Sequence, residues 1–172
     1  MRTLYLLRHA KSSWDDPRLP DHERPLSERG QRAAGQIALH LERNAIRPAL
    51  VLCSSARRTR ETLAAIRVAL GENADVVVED ELYGADAGQL VVRLRRCPPE
   101  APSVMVIAHN PGLEDVAQHL AGDGDERALR QLRTKFPTGA LATLDIGEHP
   151  WADLAPGQAY LVSLVTPREL AG

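Results

Sequence analysis

Short apolar runs alternate with amphipathic helical patterns along most of this 172-residue chain. Four early runs are predicted to be strands: residues 3–7, 49–53, 76–78 and 104–108. Each is followed by a segment in which apolar residues recur at helical spacing. The alternation predicts an α/β fold, a three-layer α/β/α sandwich around a mostly parallel sheet. Two late runs, 140–146 and 160–165, have no clear helix between them, so we expect antiparallel pairing there, within one domain over residues 1–172.

Helix starts are predicted where a capping residue precedes a helical pattern. Four positions carry such residues: Ser27, Ser54 with Ser55, Asp86, and Asn110. Pro111 is then expected to be the first residue of the fourth helix. Gly71 is expected to end the second helix, and the glycines within 122–124 to end the fourth. The pattern at 126–136 leaves helix and loop both open.

Composition excludes several classes of function. The net charge is −2, from 21 basic and 23 acidic residues, and aromatic residues make up 3% of the chain, which argues against a nucleic-acid partner. No apolar run reaches membrane-spanning length, and Arg8 and His9 interrupt the first run before it reaches signal-peptide length. We therefore expect no membrane partner and a cytoplasmic location. Cys53 and Cys97 form no CxxC pair, so neither a zinc site nor a disulfide framework is indicated.

Polar residues capable of phosphate chemistry follow three of the predicted strands. Arg8 and His9 follow the first strand, Ser54 to Arg58 follows the second, and His109 follows the fourth. In open α/β sheets, ligands bind beyond the carboxyl ends of the strands, so these side chains are expected at one rim. Arginine offers a planar fork of donors to phosphate, helix starts offer free N–H groups, and histidine can act as a nucleophile. Together they predict a pocket for a tetrahedral oxyanion.

These residues carry a resemblance to a known family. The segments concerned are LYLLRHAKSSW, RPLSERG, SSARRTRET, IAHNPG and FPTGAL. They resemble the histidine phosphatase superfamily, also called phosphoglycerate mutase-like, and within it the SixA-type phosphohistidine phosphatases. The match spans nearly the whole chain, and its order is specific: Arg-His, then S-x-x-x-R-x-x-x-T opening a helix, then a strand that ends in His.

The resemblance implies a role for each matching residue. His9 is expected to attack phosphorus, Arg8 and Arg58 to hold the phosphate oxygens, and His109 to donate to one of them. Arg58 is preferred to Arg57 because it fits the spacing from Ser54 and to Thr62. No metal or other cofactor is implied. Four further residues are candidates for substrate binding: Arg24, Ser12, Lys11 and Asn110.

Two positions depart from the superfamily pattern. Ala10 stands where Arg-His-Gly is usual, a change that the SixA-like branch also has. Other branches place a glutamate acid just after the third strand, and the position that aligns with it here is Gly84. Glu81 and Asp86 lie nearby, so the acid is Glu81, Asp86 or absent.

The expected activity is that of a metal-independent phosphatase with a phosphohistidine intermediate, acting on phosphohistidine in a protein. A small-molecule phosphomonoesterase and a non-catalytic phospho-ligand-binding module are the alternatives. A metallophosphatase would need carboxylates and histidines at ligand spacing, and Asp15, Asp16, Asp123 and Asp125 lack such histidines. A cysteine phosphatase needs Cys-x5-Arg, but Thr59 occupies that place relative to Cys53.

Overall fold

The computed structural model describes residues 1–171, which form seven strands and six α-helices. The strands are β1 (Arg2–Arg8), β2 (Leu50–Ser54), β3 (Asp75–Glu79), β4 (Ser103–Ala108), β5 (Ala121–Gly124), β6 (Leu141–Gly147) and β7 (Ala159–Val165). The helices are α1 (Glu28–Arg43), α2 (Arg57–Ile66), α3 (Ala87–Arg95), α4 (Gly112–Leu120), α5 (Glu126–Thr134) and α6 (Pro167–Ala171). Short 3-10 turns lie at Asp21–Glu23, Asp80–Leu82 and Trp151–Asp153. No helix within the described range is long and apolar enough to cross a membrane.

The strands form one sheet in the order β3-β2-β4-β1-β6-β7-β5. Parallel pairing joins β3 to β2, β2 to β4 and β4 to β1. β6 pairs antiparallel with both β1 and β7, and β5 pairs parallel with β7. The mostly parallel sheet with antiparallel pairing late in the chain is therefore confirmed.

The core has two main parts, one on each face of the sheet. Because side chains alternate along a strand, Leu6 of β1 packs in one part and Leu7 in the other. Apolar residues of α3, α4 and α5 cover the first face, and those of α1 and α2 cover the second. Burial of both faces explains why the central strands read as continuous apolar runs. The three-layer α/β/α arrangement is confirmed.

The glycine-rich segment after α4 is the main structural surprise. The helix α4 ends at Leu120, as the glycines within 122–124 predicted, but residues 121–124 then form β5 at the sheet edge, a strand that the sequence did not predict. A Cβ at Gly122 would lie 2.0 Å from the carbonyl oxygen of Gly157, so the absence of a side chain permits this close approach. Glycine disfavours strands intrinsically, which is why local propensity gave no sign of β5. The next segment, for which the sequence left helix and loop as alternatives, forms the helix α5. Asp125 caps this helix by accepting the N–H of Ala128.

Two helices begin later than expected. α2 begins at Arg57 with Ala56 at the N-cap, and it ends at Ile66, before Gly71. Ser54 is instead the last residue of β2, which frees its hydroxyl for another contact. α4 begins at Gly112, so Pro111 precedes the helix instead of opening it.

Candidate active site

The expected convergence of strand ends is present. β1 and β4 pair in parallel with Leu7 opposite Ile107, so the residues that follow them lie at the same rim. His9 and His109 have their ring centroids 5.3 Å apart. Arg58 enters from the first turn of α2, beside the end of β2. The structure thus brings Arg8, His9, Arg58 and His109 together from distant parts of the sequence.

The tautomer of His9 follows from one hydrogen bond. Nδ1 lies 2.7 Å from the carbonyl oxygen of Ala10. A carbonyl can only accept, so Nδ1 carries the proton and Nε2 keeps its lone pair. Burial is the main cause that lowers the pKa of His9 to about 3. The nearby His109, Arg58 and Arg8 lower this pKa further, and the hydrogen bond to Ala10 opposes them. His9 is therefore a neutral imidazole at neutral pH, with Nε2 available as a nucleophile.

His109 is oriented by Ser54. The Oγ of Ser54 lies 2.7 Å from Nε2 of His109 and accepts the N–H of Ala56 at 3.4 Å. Burial is the main cause that lowers the pKa of His109 to about 4, and Arg58 and Arg8 lower it further while Asp21 opposes them. If Ser54 donates to Nε2 of this neutral ring, the ring proton lies on Nδ1.

The two arginines are held by backbone oxygens and by one carboxylate. Nη1 of Arg8 donates to the carbonyl oxygen of Phe136 at 3.0 Å. Arg58 donates through Nη1 to the carbonyl oxygen of Asp21 at 2.8 Å and through Nη2 to its Oδ2 at 3.1 Å. These contacts fix the direction of each guanidinium before any ligand binds, which lowers the entropy cost of binding an anion.

Several donors of the site lack a partner. Within residues 1–171, five buried side-chain polar atoms make no hydrogen bond, and four of these belong to Arg8 (Nε), Arg24 (Nη1), Arg58 (Nε) and His109 (Nδ1). An unpaired buried donor costs roughly 1–3 kcal/mol, so such groups are few in folded proteins. Their concentration at one rim favours a ligand that accepts several hydrogen bonds, as an oxyanion does.

The S-x-x-x-R-x-x-x-T spacing has a structural explanation. Ser54 orients His109, and Arg58, four residues later, points its donors to the same rim. Thr62, one helical turn further, donates to the carbonyl oxygen of Arg58 at 2.7 Å and accepts the N–H of Ala10 at 3.1 Å. One strand end and one helix turn therefore fix both histidines and one arginine.

Asp21 and Tyr83 are part of the site, and sequence reasoning missed both. Oδ2 of Asp21 accepts the hydroxyl of Tyr83 at 2.5 Å, and this hydrogen bond is the main cause that lowers the pKa of Asp21 to about 2, with a further contribution from Arg58. The same hydrogen bond is the main reason that the pKa of Tyr83 is raised. The Tyr83 ring stands edge-on to His109 at 5.6 Å. Asp21 comes from a 3-10 turn with no pattern that links it to Arg58.

The four candidates for substrate binding have different surroundings. Arg24 is buried, donates through Nε to Asp21 at 3.2 Å, and stacks on the exposed Trp14 ring at 3.4 Å. Lys11 is exposed, and Ser12 is buried and paired through its backbone with Leu26. The Asn110 amide donates to the carbonyl oxygen of Phe136 at 2.9 Å and accepts the N–H of Glu114 at 3.2 Å, so it holds the loop that also positions Arg8.

The two candidate acids are engaged elsewhere. Glu81 pairs with Arg96 at 2.9 Å and Arg93 at 3.4 Å. Asp86 caps α3 by accepting the N–H of Gln89. Both carboxylates line a cavity of about 470 Å³ beside α3, whose lining includes none of the four central site residues.

Cys53 is buried in β2, and burial raises the pKa of its thiol to about 12. A thiol with such a pKa is not a thiolate nucleophile at neutral pH. Within the described range, no group of three or more His, Cys, Asp and Glu side chains is arranged to hold a metal ion.

Comparisons with known proteins show which family the chain is similar to. Residues 4–97 match the model of the histidine phosphatase superfamily, branch 1. An uncharacterized protein of Mycobacterium tuberculosis is 37% identical over 164 residues, covering 94% of this chain and all of the relative. An uncharacterized chloroplastic protein of Arabidopsis thaliana is 35% identical over 175 residues, covering 96% of this chain and 78% of the relative.

Solved structures extend the similarity to the whole fold. A protein assigned as the phosphohistidine phosphatase SixA from Nakamurella multipartitia superposes with a TM-score of 0.82 at 32% identity, covering 96% of both chains. A second, from Agrobacterium tumefaciens, has a TM-score of 0.81 at 32% identity, covering 96% of this chain and 98% of the other. The segment that matches the family model includes Arg8, His9 and Arg58. On this evidence the chain belongs to branch 1 of the histidine phosphatase superfamily.

Proposed function

We propose that this protein is a phosphohistidine phosphatase in which His9 accepts the phosphoryl group. One observation carries the proposal: a neutral His9, with its Nε2 lone pair free, stands among buried N–H donors that lack partners. Such donors suit the oxygens of a phosphoryl group, whose charge they stabilise. A non-catalytic phosphate binder would need the donors but not the nucleophile.

The chemistry divides into two displacements. Nε2 of His9 attacks phosphorus, and the bond from phosphorus to the leaving group breaks with its electron pair going to the leaving nitrogen. Water then attacks the phosphorylated His9, gives up a proton to solvent, and the electron pair of the P–N bond returns to Nε2. Arg8, Arg58 and Nδ1 of His109 hold the phosphoryl oxygens through both steps.

The available acids favour phosphohistidine over alkyl phosphates. An alkoxide leaving group needs a proton in the transition state. Asp21 is ionised with a pKa of about 2, and the pKa of Tyr83 is raised, so neither is a good proton donor near neutral pH. Glu81 and Asp86 are held in other contacts. Imidazole leaves more readily, because its conjugate acid has a pKa near ~6.5 and solvent can protonate it.

The comparisons support the same substrate class. The two superposed proteins at 32% identity are assigned as SixA phosphohistidine phosphatases. A phosphorylated protein is therefore the proposed partner, and the phosphoryl group on one of its histidines is the proposed substrate.

A substrate comparison tests the proposal. We expect kcat/KM for a phosphohistidine peptide to exceed that for an alkyl phosphate such as 3-phosphoglycerate by about a hundredfold or more, the range over which acid catalysis acts. Glu81→Gln and Asp86→Asn should leave both values unchanged. An equal or higher value for the alkyl ester, lowered by either variant, would identify an acid and refute the preference.

A further inference from the structure

A cationic cavity of about 520 Å³ is lined in part by residues close in sequence to the candidate active site, such as Lys11, two residues after His9. Four basic residues line it: Lys11, Arg29, Lys135 and Arg168. Its one acidic lining residue is Glu169, whose Oε1 lies 3.0 Å from the amide of Gln131 and whose Oε2 lies 3.5 Å from Arg127. Within residues 1–171, none of the four basic residues forms an ion pair, unlike most arginines that flank the candidate active site. The cavity is therefore locally positive on a chain whose net charge is −2.

Segments that line the cavity also contact the backbone of Arg8 and His9. Lys11 is two residues after His9. A Cβ at Gly30 would lie 2.0 Å from the carbonyl oxygen of Lys11, so α1, which carries Arg29, packs directly against the loop after β1. On the other side, Thr138 lines the cavity, and the next residue, Gly139, donates its N–H to the carbonyl oxygens of Arg8 at 3.1 Å and His9 at 2.9 Å. The cavity wall and the backbone that carries His9 are therefore connected through Lys11 and Gly139.

We propose that this cavity binds an acidic segment of the phosphorylated protein, next to the phosphohistidine, and thereby selects the substrate. The inference rests on the proposed function, because it assumes that the phosphoryl donor is part of a polypeptide. Charge complementarity is the reason for an acidic occupant: exposed cations without partners attract carboxylates over several ångströms and speed their association. Since the cavity is open to solvent, the attraction should weaken as salt is added.

A pair of charge-reversal variants tests this binding. Arg29 and Lys135 are exposed, so Arg29→Glu with Lys135→Glu should fold. Arg43→Glu with Arg67→Glu is the matched control, since both residues are exposed and neither lines the cavity. The substrates are phosphohistidine peptides with acidic or neutral flanks, together with phosphoramidate, which is too small to reach both sites.

For the cavity variant, KM for the acidic peptide should rise about tenfold with kcat preserved, as expected when charge complementarity is inverted at an exposed surface. KM for the neutral peptide and turnover of phosphoramidate should change by less than twofold in the same variant. The control variant should behave as wild type with all three substrates. An unchanged KM for the acidic peptide, or an equal rise in the control, would overturn the inference.

Direct binding separates this inference from the proposed function. An unphosphorylated acidic peptide, followed by fluorescence anisotropy, should bind the wild-type protein more tightly than the cavity variant, and less tightly at high salt. If no phosphohistidine substrate were turned over, the proposed function would fail, while this titration would still decide the binding site. Tighter binding of a single-stranded oligonucleotide of equal charge would assign the cavity to nucleic acid and overturn the proposal.

Discussion

The hydroxyl of Thr62 accepts the backbone N–H of Ala10 at 3.1 Å, and so joins α2 to the loop that carries His9. The same hydroxyl donates to the carbonyl oxygen of Arg58. Two parts of the site that are far apart in sequence are therefore held by one fully buried side chain. Its removal tests whether the loop needs this support.

Thr62→Val keeps the shape of the side chain but leaves the Ala10 N–H buried and unpaired. We expect a loss of about 1–3 kcal/mol in unfolding free energy, the usual cost of an orphaned donor. We also expect kcat to fall about tenfold, because His9 loses its fixed position. Thr62→Ser restores the hydroxyl and should recover most of kcat. A Val variant with wild-type kcat would show that this bond does not position the site.

Neighbouring arginines on α2 should differ sharply in their contribution to catalysis. Arg58 is buried and brings an unpaired Nε to the site, whereas Arg57 is partly exposed and pairs with Glu61 at 2.9 Å. Arg58→Ala should lower kcat/KM about 10²–10³-fold, the typical loss for one preorganised donor. Arg57→Ala should change it by less than about twofold, since surface ion pairs contribute little. Steady-state kinetics of both variants with one substrate checks this, and equal losses would contradict the assignment.

Two glycines of α1 should respond oppositely to the same substitution. A Cβ at Gly30 would lie 2.0 Å from the carbonyl oxygen of Lys11, whereas no atom lies within 4 Å of a Cβ at Gly35. Gly30→Ala should therefore destabilise the fold by about 1–3 kcal/mol through overpacking. Gly35→Ala should stabilise it by about 0.5–1 kcal/mol, because alanine favours helix. Urea unfolding measures both; stabilisation by Gly30→Ala would refute the contact.

Acid should destabilise the fold through its buried histidines. The pKa of His9 is lowered to about 3 in the folded state, and an unfolded histidine has a pKa near ~6.5. As the pH falls, the unfolded state therefore binds a proton before the folded state does. The stability that the neutral His9 contributes to the folded state is full above pH ~6.5 and declines as the pH falls toward the folded pKa. At pH ~4.5, His9 alone should lower the unfolding free energy by about 2–3 kcal/mol relative to pH ~7.5.

Urea unfolding at the two pH values measures this loss. The variant His9→Gln should lose less stability than the wild-type protein over the same interval, since it has no proton to gain at this position. The exposed His119→Gln is the control. An identical loss in wild type and His9→Gln would mean that protonation of His9 does not drive the acid sensitivity.

Much of the fold was predictable because the central strands are apolar on both faces. The apolar runs that precede Arg8 and His109 are buried between two helical layers, and parallel strands bring their ends to one rim. β5 was not predictable, since its pairing depends on the close approach of Gly122 to Gly157, which no local pattern reveals. The central site residues, Arg8, His9, Arg58 and His109, were predictable because their motifs follow directly after strands.

The remainder of the site depends on contacts between residues that are far apart in sequence. Asp21 meets Arg58 across 37 positions of sequence and Tyr83 across 62, and none of these residues lies in a periodic pattern that links them. Glu81 and Asp86 were candidate acids because of their position after β3, yet an ion pair and a helix cap hold their carboxylates. Sequence order alone does not distinguish a free carboxylate from one that is already engaged.

The central claim is that His9 carries the phosphoryl group during turnover. Rapid mixing with a phosphoramidate donor, followed by alkaline quench and mass spectrometry of peptides, measures this directly. We predict one added phosphoryl group on the peptide that contains His9, stable to base and labile to acid. It should be absent in His9→Ala, which should also lose turnover, and present in Cys53→Ser. Turnover without phosphorylation of His9, or phosphate on another residue that persists in His9→Ala, would contradict the account.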